Sequence, residues 1–187
     1  MKVIFLDFDG VLNSAASFVL ENRIRKGKYM SKKRQAAVLN LPPVNETLCH
    51  VCTSNFQHIL DEVPDAKIVI SSTWRQLFDL DWLRAKLVEY GVDGSRVIDK
   101  TPVIHFRFSQ SVDRGVEIKE WLDQHPEVTN FVILDDNYIG PPFQPNHIET
   151  GPNFVKSTWN VGLTLPLAIE AVKILGGKDR SYKLHLE

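Results

Sequence analysis

Short runs of consecutive apolar residues, each ending in polar or turn-forming residues, alternate along this chain with longer segments of mixed apolar and polar character. The runs predict strands at Lys2 to Asp7, Ala66 to Ser71, Arg96 to Asp99, Asn130 to Leu134 and Asn153 to Ser157. The mixed segments predict helices at Glu46 to Glu62, Asp79 to Tyr90, Gly115 to Gln124 and Thr164 to Leu175, with Gly91 and Gly176 ending the second and the last. Pro166 falls in the first turn of the last helix, where its missing N–H costs little. Such alternation predicts an α/β fold with a central parallel sheet and helices on both faces.

The strand ends carry the chemistry. The run Val3 to Leu6 leads into Asp7, Phe8, Asp9 and Gly10. Alternate residues of an extended chain point the same way, so Asp7 and Asp9 can share one small space while Phe8 packs elsewhere. Two such charges roughly 4 Å apart repel by about 4 kcal/mol at an effective dielectric of about 20, so the pair needs a cation, a shared proton or an opened geometry. Taken alone, the motif equally describes a solvated turn. A second apolar run, Phe131 to Leu134, ends in Asp135 and Asp136. In one parallel sheet both tips lie on the same edge, where open α/β sheets bind ligands. Carboxylate ligands without histidine or cysteine suit Mg²⁺.

A third run, Lys67 to Ile70, leads into Ser71, Ser72, Thr73, Trp74 and Arg75. Hydroxyls and backbone N–H groups past a strand tip bind phosphate oxygens, and arginine adds a planar charged fork. Ser-Ser-Thr alone is more often a helix cap or turn; beside two acidic tips it reads as a phosphate cradle.

Size and charge narrow the classes. With 187 residues and 43 % apolar content, the chain is long enough for one proper core, which predicts one domain over residues 1–176 and a polar tail at 177–187. A net charge of −1 gives no general pull toward nucleic acid or membrane. No stretch approaches the roughly 20 apolar residues of a spanning helix. The start of the chain runs directly into a core strand, so the expectation is a soluble, cytoplasmic protein without membrane association. Cys49-His-Val-Cys52 has metal or redox spacing, but with no second pair the two thiols read as packing within the helix predicted from Glu46.

One segment departs from this balance. Between Glu21 and Arg34 stand Arg23, Arg25, Lys26, Lys28, Lys32, Lys33 and Arg34 against a single acid. A basic lip of this kind favours a polyanionic substrate, and a solvated basic loop describes it equally well. Phe18, Tyr29 and Trp74 are candidates to stack on a base or simply to pack. The proline-rich stretch Tyr138 to Pro152 reads as a rigid rim beyond the acidic pair.

In their order, Phe5-Leu-Asp7-Phe-Asp9-Gly10, Ile68-Val-Ile-Ser71, a basic residue and Ile133-Leu-Asp135-Asp136 resemble the four motifs of the haloacid dehalogenase (HAD) superfamily. More narrowly, DFDGVLN, SSTWR, RGVEI, VILDD and the late Gly162-Leu-Thr164 resemble the HAD domain of Swiss-army-knife RNA-repair proteins. The resemblance implies a HAD-like Rossmannoid three-layer sandwich with a minimal cap, here the insertion at about 14–43. It implies a Mg²⁺-dependent phosphomonoester hydrolase working through an aspartyl-phosphate. Asp7 would be the nucleophile and Asp9 the general acid and base, with Mg²⁺ on Asp7, the backbone carbonyl of Asp9, Asp135 and Asp136. Ser71, Ser72, Arg75 and a third-motif cation would hold phosphate. Arg114, at the start of its helix, is preferred for that cation over Lys119, which has the usual residue type but a mid-helix place. The expected substrate is a nucleotide or a phosphorylated RNA or DNA end; the alternative is a catalytically silent binding module on the same fold.

Overall fold

In a computed structural model of the chain, which describes residues 1–17, 19, 47–104, 113–137, 139–143 and 151–178, the apolar runs form β1 (Lys2–Leu6), β2 (Ala66–Ile70), β3 (Val97–Lys100), β4 (Asn130–Asp135) and β5 (Phe154–Lys156). Helices α1 (His50–Glu62), α2 (Leu80–Glu89), α3 (Arg114–Asp123) and α4 (Leu165–Ile174) lie between and after them. The strands pair in parallel in the order β3-β2-β1-β4-β5. The chain thus leaves β1 toward β2 and β3, then crosses to β4 on the other side of β1. That crossing makes a topological switch point beside β1, at the carboxyl ends of the strands.

Period-two alternation divides the core. Val3 and Phe5 pack with Val69, Ile133 and Phe154 against Ile118 and Trp121 of α3. Ile4 and Leu6 face the other way, joining Ile68, Ile70, Val132 and Leu134 beneath α1, α2 and α4. The predicted helices on both faces are present, and the strand bounds agree with the expected ones to within a residue or so. The main difference is α1. Its expected start at Glu46 moves to His50, with Cys49 as the residue before the first turn.

Register sets what comes next. Leu6 pairs with Ile70 on one side and Leu134 on the other. The ladder continues one step, with the Ser71 N–H donating to the Leu6 carbonyl (2.8 Å) and the Asp7 N–H to the Leu134 carbonyl (3.0 Å). Asp7, Ser71 and Asp135 therefore emerge side by side. By alternation they belong to the α3 face, the face of Val3 and Phe5.

The insertion at about 14–43 and its seven basic residues, Phe18 and Tyr29, and residues 138 and 144–150 of the proline-rich stretch lie outside the described residues, apart from 14–17 and 19. Most of the expected tail, 179–187, does too. Among the described residues no helix is long and apolar enough to cross a membrane.

Phe56 of α1 is fully buried in the larger core cluster. Phe56→Ala should lower the unfolding free energy by about 3–5 kcal/mol, read by urea denaturation. A loss under about 1 kcal/mol would mean that α1 does not seal that face.

Candidate active site

Asp7, Asp135 and Asp136 each bring a carboxylate oxygen to one place, all within 4.8 Å of one another. Asp7 and Asp135 are nearly closed to solvent, with 5 % and 2 % of their surface exposed. Arg114, the first residue of α3, reaches into the group. Its Nη1 lies 3.1 Å from Asp7 Oδ1 and 3.0 Å from Asp135 Oδ2. The start of α3 is set there by Gly115, whose N–H donates to the Ile139 carbonyl and whose missing side chain leaves room for the carbonyls of Ile139, Gly140 and Pro141. The same economy occurs at Gly10, where φ is +74° and the Asp136 carboxylate fills the space that a Cβ would take.

Crowding of like charge shows in the acidities. Burial, then the charge of Asp7, pushes the Asp135 carboxyl up to about 7, and Arg114 only partly opposes this. Burial raises Asp7 as well, against Arg114, the Ser72 hydroxyl and the Phe8 N–H, which all favour its ionised form. Asp136 is raised by burial and by Asp7. For Arg114, burial works against the charge, but Asp7 and Asp135 outweigh it and hold the guanidinium protonated above its usual range. One arginine against three carboxylates leaves a surplus of negative charge on hard oxygen donors. That donor set fits Mg²⁺.

Asp9 stands apart from the three. Its Oδ1 accepts from Asn13 Nδ2 at 2.8 Å and its Oδ2 from Trp74 Nε1 at 2.9 Å. Asn13 Oδ1 in turn accepts the Gly10 N–H (3.0 Å), so one asparagine closes the turn and aims the carboxylate. The metal contact expected of Asp9 is through its backbone carbonyl, and its side chain is not among the converging ligands. Phe8 turns to the opposite face and stacks on Trp74 with ring centroids 4.9 Å apart.

The remaining expected residues fall in three places. Ser71 Oγ is buried beside Asp7 and has no hydrogen-bond partner among the described residues. An orphaned buried hydroxyl costs on the order of 1–3 kcal/mol, which a ligand oxygen would recover. Ser72 caps the 3-10 turn Thr73–Gln76, accepting from the Trp74 N–H, and also supports Asp7. The cap and the site roles thus coexist in one side chain.

Arg75 is a different matter. Its guanidinium is consumed by the carbonyls of Ser72, Thr101 and Pro102 and by Glu117 of α3. The structure gives it the work of tying β2's tip to α3 rather than of meeting phosphate. Lys119 points outward, with Nζ 2.6 Å from Asp123 Oδ2 one turn along α3. Of the two candidate cations only Arg114 reaches the acids, because it occupies the helix start that abuts the strand tips.

Three contributors lie within the motif runs without an expected site role: Asn13 in DFDGVLN, the indole N–H of Trp74 in SSTWR, and Glu117 in RGVEI. Asn13 is the last residue of DFDGVLN, so its place in that run was the available signal. Glu117 sits one helical turn from Arg114, a spacing that puts both on one face.

The raised pKa of Asp135 fixes a sign. An unfolded aspartate titrates near about 3.9. Between there and about 7 the folded protein holds more protons than the unfolded chain, so Asp135 makes metal-free stability fall as pH rises through that window. Asp135→Asn removes this contribution. In EDTA the variant should gain stability relative to the parent from pH 5 to pH 8, and it should lose most of any Mg²⁺-induced rise in Tm. Parallel pH profiles for the two proteins would contradict the crowding.

A model of the family described as the HAD domain in Swiss Army Knife RNA repair proteins matches residues 3–168. No curated protein and no solved structure matches the chain. The family match takes in every strand of the sheet together with Asp7, Asp9, Ser71, Arg114, Asp135 and Asp136, and the chain belongs to the HAD domain family of Swiss Army Knife RNA repair proteins.

Proposed function

We propose that this domain is a Mg²⁺-dependent phosphomonoester hydrolase acting on nucleotides or phosphorylated nucleic-acid ends, with Asp7 as the group that takes the phosphoryl. The observation that carries the proposal is the meeting of Asp7, Asp135 and Asp136 within 4.8 Å around the end of Arg114. Membership in a HAD family supports a hydrolase of this general kind. The substrate class rests on the family's RNA-repair setting and on the basic run from Arg23 to Arg34.

Hydrolysis of a phosphate monoester needs up to about 10²¹-fold acceleration, so several effects must combine. Asp7, Asp135 and Asp136 would hold the magnesium ion, which supplies positive charge against which a phosphate dianion can approach carboxylates. The Asp7 oxygen attacks phosphorus and the ester P–O bond breaks, leaving the phosphoryl group on Asp7. Asp9 gives its proton to the departing oxygen, then takes one from the water that releases phosphate and restores Asp7. The Ser71 hydroxyl, unpartnered and beside Asp7, donates to an equatorial oxygen. Arg114, 3.1 Å from Asp7, favours its ionised form against burial and holds it in place.

Trp74 acts through Asp9. Its indole N–H and Asn13 fix the direction of the Asp9 carboxylate, which matters most when the leaving oxygen needs a proton. Trp74→Phe keeps the ring against Phe8 and removes the hydrogen bond. It should slow alkyl and nucleotide phosphates by on the order of 10-fold or more, and p-nitrophenyl phosphate, whose leaving group departs unaided, far less. Equal losses on both substrates would assign Trp74 to packing alone.

Phosphate release should be screened over nucleotides, 3′- and 5′-phosphorylated oligonucleotides and small metabolites with Mg²⁺. Asp7→Asn should lose at least about 10³-fold. Equal inactivity of parent and variant across the whole panel would favour the silent binding module.

A further inference from the structure

Cys49 and Cys52 lie away from the acidic cluster, and the start of α1 at His50 changes their meaning. Cys49 is the N-cap, with extended backbone at φ −90° and ψ 118°, and Cys52 is the third residue of the first turn. Side chains at these two helix positions face each other across the first turn, the same pairing that a capping box uses. The Cys52 thiol lies near enough to the Cys49 sulfur to favour its thiolate.

The surroundings divide the labour between them. Cys49 is half-buried on the wall of a cavity of about 460 Å³ that Ser14, Ser17, Asn55 and Val161 also line. Cys52 lines the same cavity but is itself buried, with its Sγ 3.7 Å from the Val161 carbonyl, to which it donates, and pressed against Gly162. The first turn of α1 carries no acidic side chain, and its N-cap supplies no side-chain hydrogen bond. The free N–H groups of the turn therefore face the Cys49 sulfur without a competing anion, an arrangement that favours thiolate. Its acidity agrees: the Cys52 thiol beside it draws the Cys49 thiol down to about 5, while Cys52 is pushed up.

We propose that Cys49 and Cys52 form a redox-active dithiol, with Cys49 the attacking thiolate and Cys52 the resolving thiol, oxidised to an internal disulfide by a small-molecule disulfide that enters the cavity. Cys49 attacks one sulfur of the oxidant, whose S–S bond breaks and releases one thiolate. Cys52 then gives up its proton to that thiolate and attacks Cys49 Sγ, expelling the second half of the oxidant as a thiolate that protonates from solvent. The protein loses two electrons and two protons, and one disulfide becomes two thiols.

The site touches the turn that shapes the acidic centre. The Cys49 N–H donates to the Leu12 carbonyl, and the Leu163 N–H, next to Gly162, donates to the Val11 carbonyl. The redox cycle itself uses none of the acidic residues, so its fate is separable from that of the hydrolase proposal.

The test is incubation of the reduced, folded chain with glutathione disulfide at graded ratios to glutathione, followed by rapid alkylation and intact mass. The parent and Asp7→Asn should both lose two hydrogens and retain no glutathione. Cys52→Ser should accumulate one glutathione on Cys49, and Cys49→Ser should react at least about tenfold more slowly than Cys52→Ser. A parent that stays fully reduced, or that carries stable glutathione at every ratio, overturns the proposal. So does a Cys49→Ser variant that reacts as fast as Cys52→Ser. Limited iodoacetamide on the unmutated protein guards against misfolded variants: the Cys49 peptide should be labelled at least about tenfold faster than the Cys52 peptide, and equal labelling would contradict the assignment.

Discussion

Three carboxylates forced together at the tips of two adjacent parallel strands set the terms for the rest of this structure. The crowding follows from register: once Leu6 lies opposite Leu134, the next residue of each strand is an aspartate on the same face. Water cannot relieve the repulsion, because Asp7 and Asp135 are almost fully buried. Part of the relief is a retained proton, since burial and the charge of Asp7 hold the Asp135 carboxyl up at about 7, and part is a cation that the fold supplies by starting α3 with Arg114 and keeping Gly115 bare so that the helix end approaches the strand tips. The converging oxygen donors that remain would suit a divalent ion. Strongly perturbed carboxyl groups of this kind cluster at functional sites more often than elsewhere.

Around this centre, residues that touch no substrate hold those that would. Asn13 and Trp74 clamp Asp9 from two directions. The buried pair of Arg75 and Glu117 joins the loop after β2 to α3, with Glu117 also accepting the Ile104 N–H. Removing one partner of such a pair leaves a buried charge uncompensated, which typically costs about 3–5 kcal/mol. The loop bearing Ser71 and Ser72 is thereby fixed relative to the helix bearing Arg114. The Ser71 and Ser72 hydroxyls and the Arg114 guanidinium are thus held in one frame.

Much of this was legible in the sequence because strand tips announce themselves. An apolar run that stops at Asp7 or at Asp135 needs only a parallel sheet to bring the two together. Arg114 over Lys119 followed from position on the helix rather than residue type. Arg75 illustrates the limit: an arginine next to a phosphate loop has the right chemistry for a ligand, yet four oxygen partners drawn from separated segments absorb it, and no local pattern reveals partners that distant. Cys49 illustrates another. A four-residue error in where α1 begins turns an N-cap thiol into an apparent helix-interior one, and the difference decides whether free N–H groups face it. The Trp74 indole was visible as an aromatic, but its bond to Asp9 spans 65 residues and belongs to the fold.

The central claim is that Asp7, within this balanced cluster, accepts a phosphoryl group. Acid-quenching the protein during turnover of an active phosphomonoester with Mg²⁺, followed by peptide mass spectrometry, addresses it directly. The account predicts a phosphorylated peptide with the modification on Asp7, absent when Mg²⁺ is removed. Phosphate release at full rate with Asp7 never modified, or with the phosphoryl group found on another residue, would contradict it.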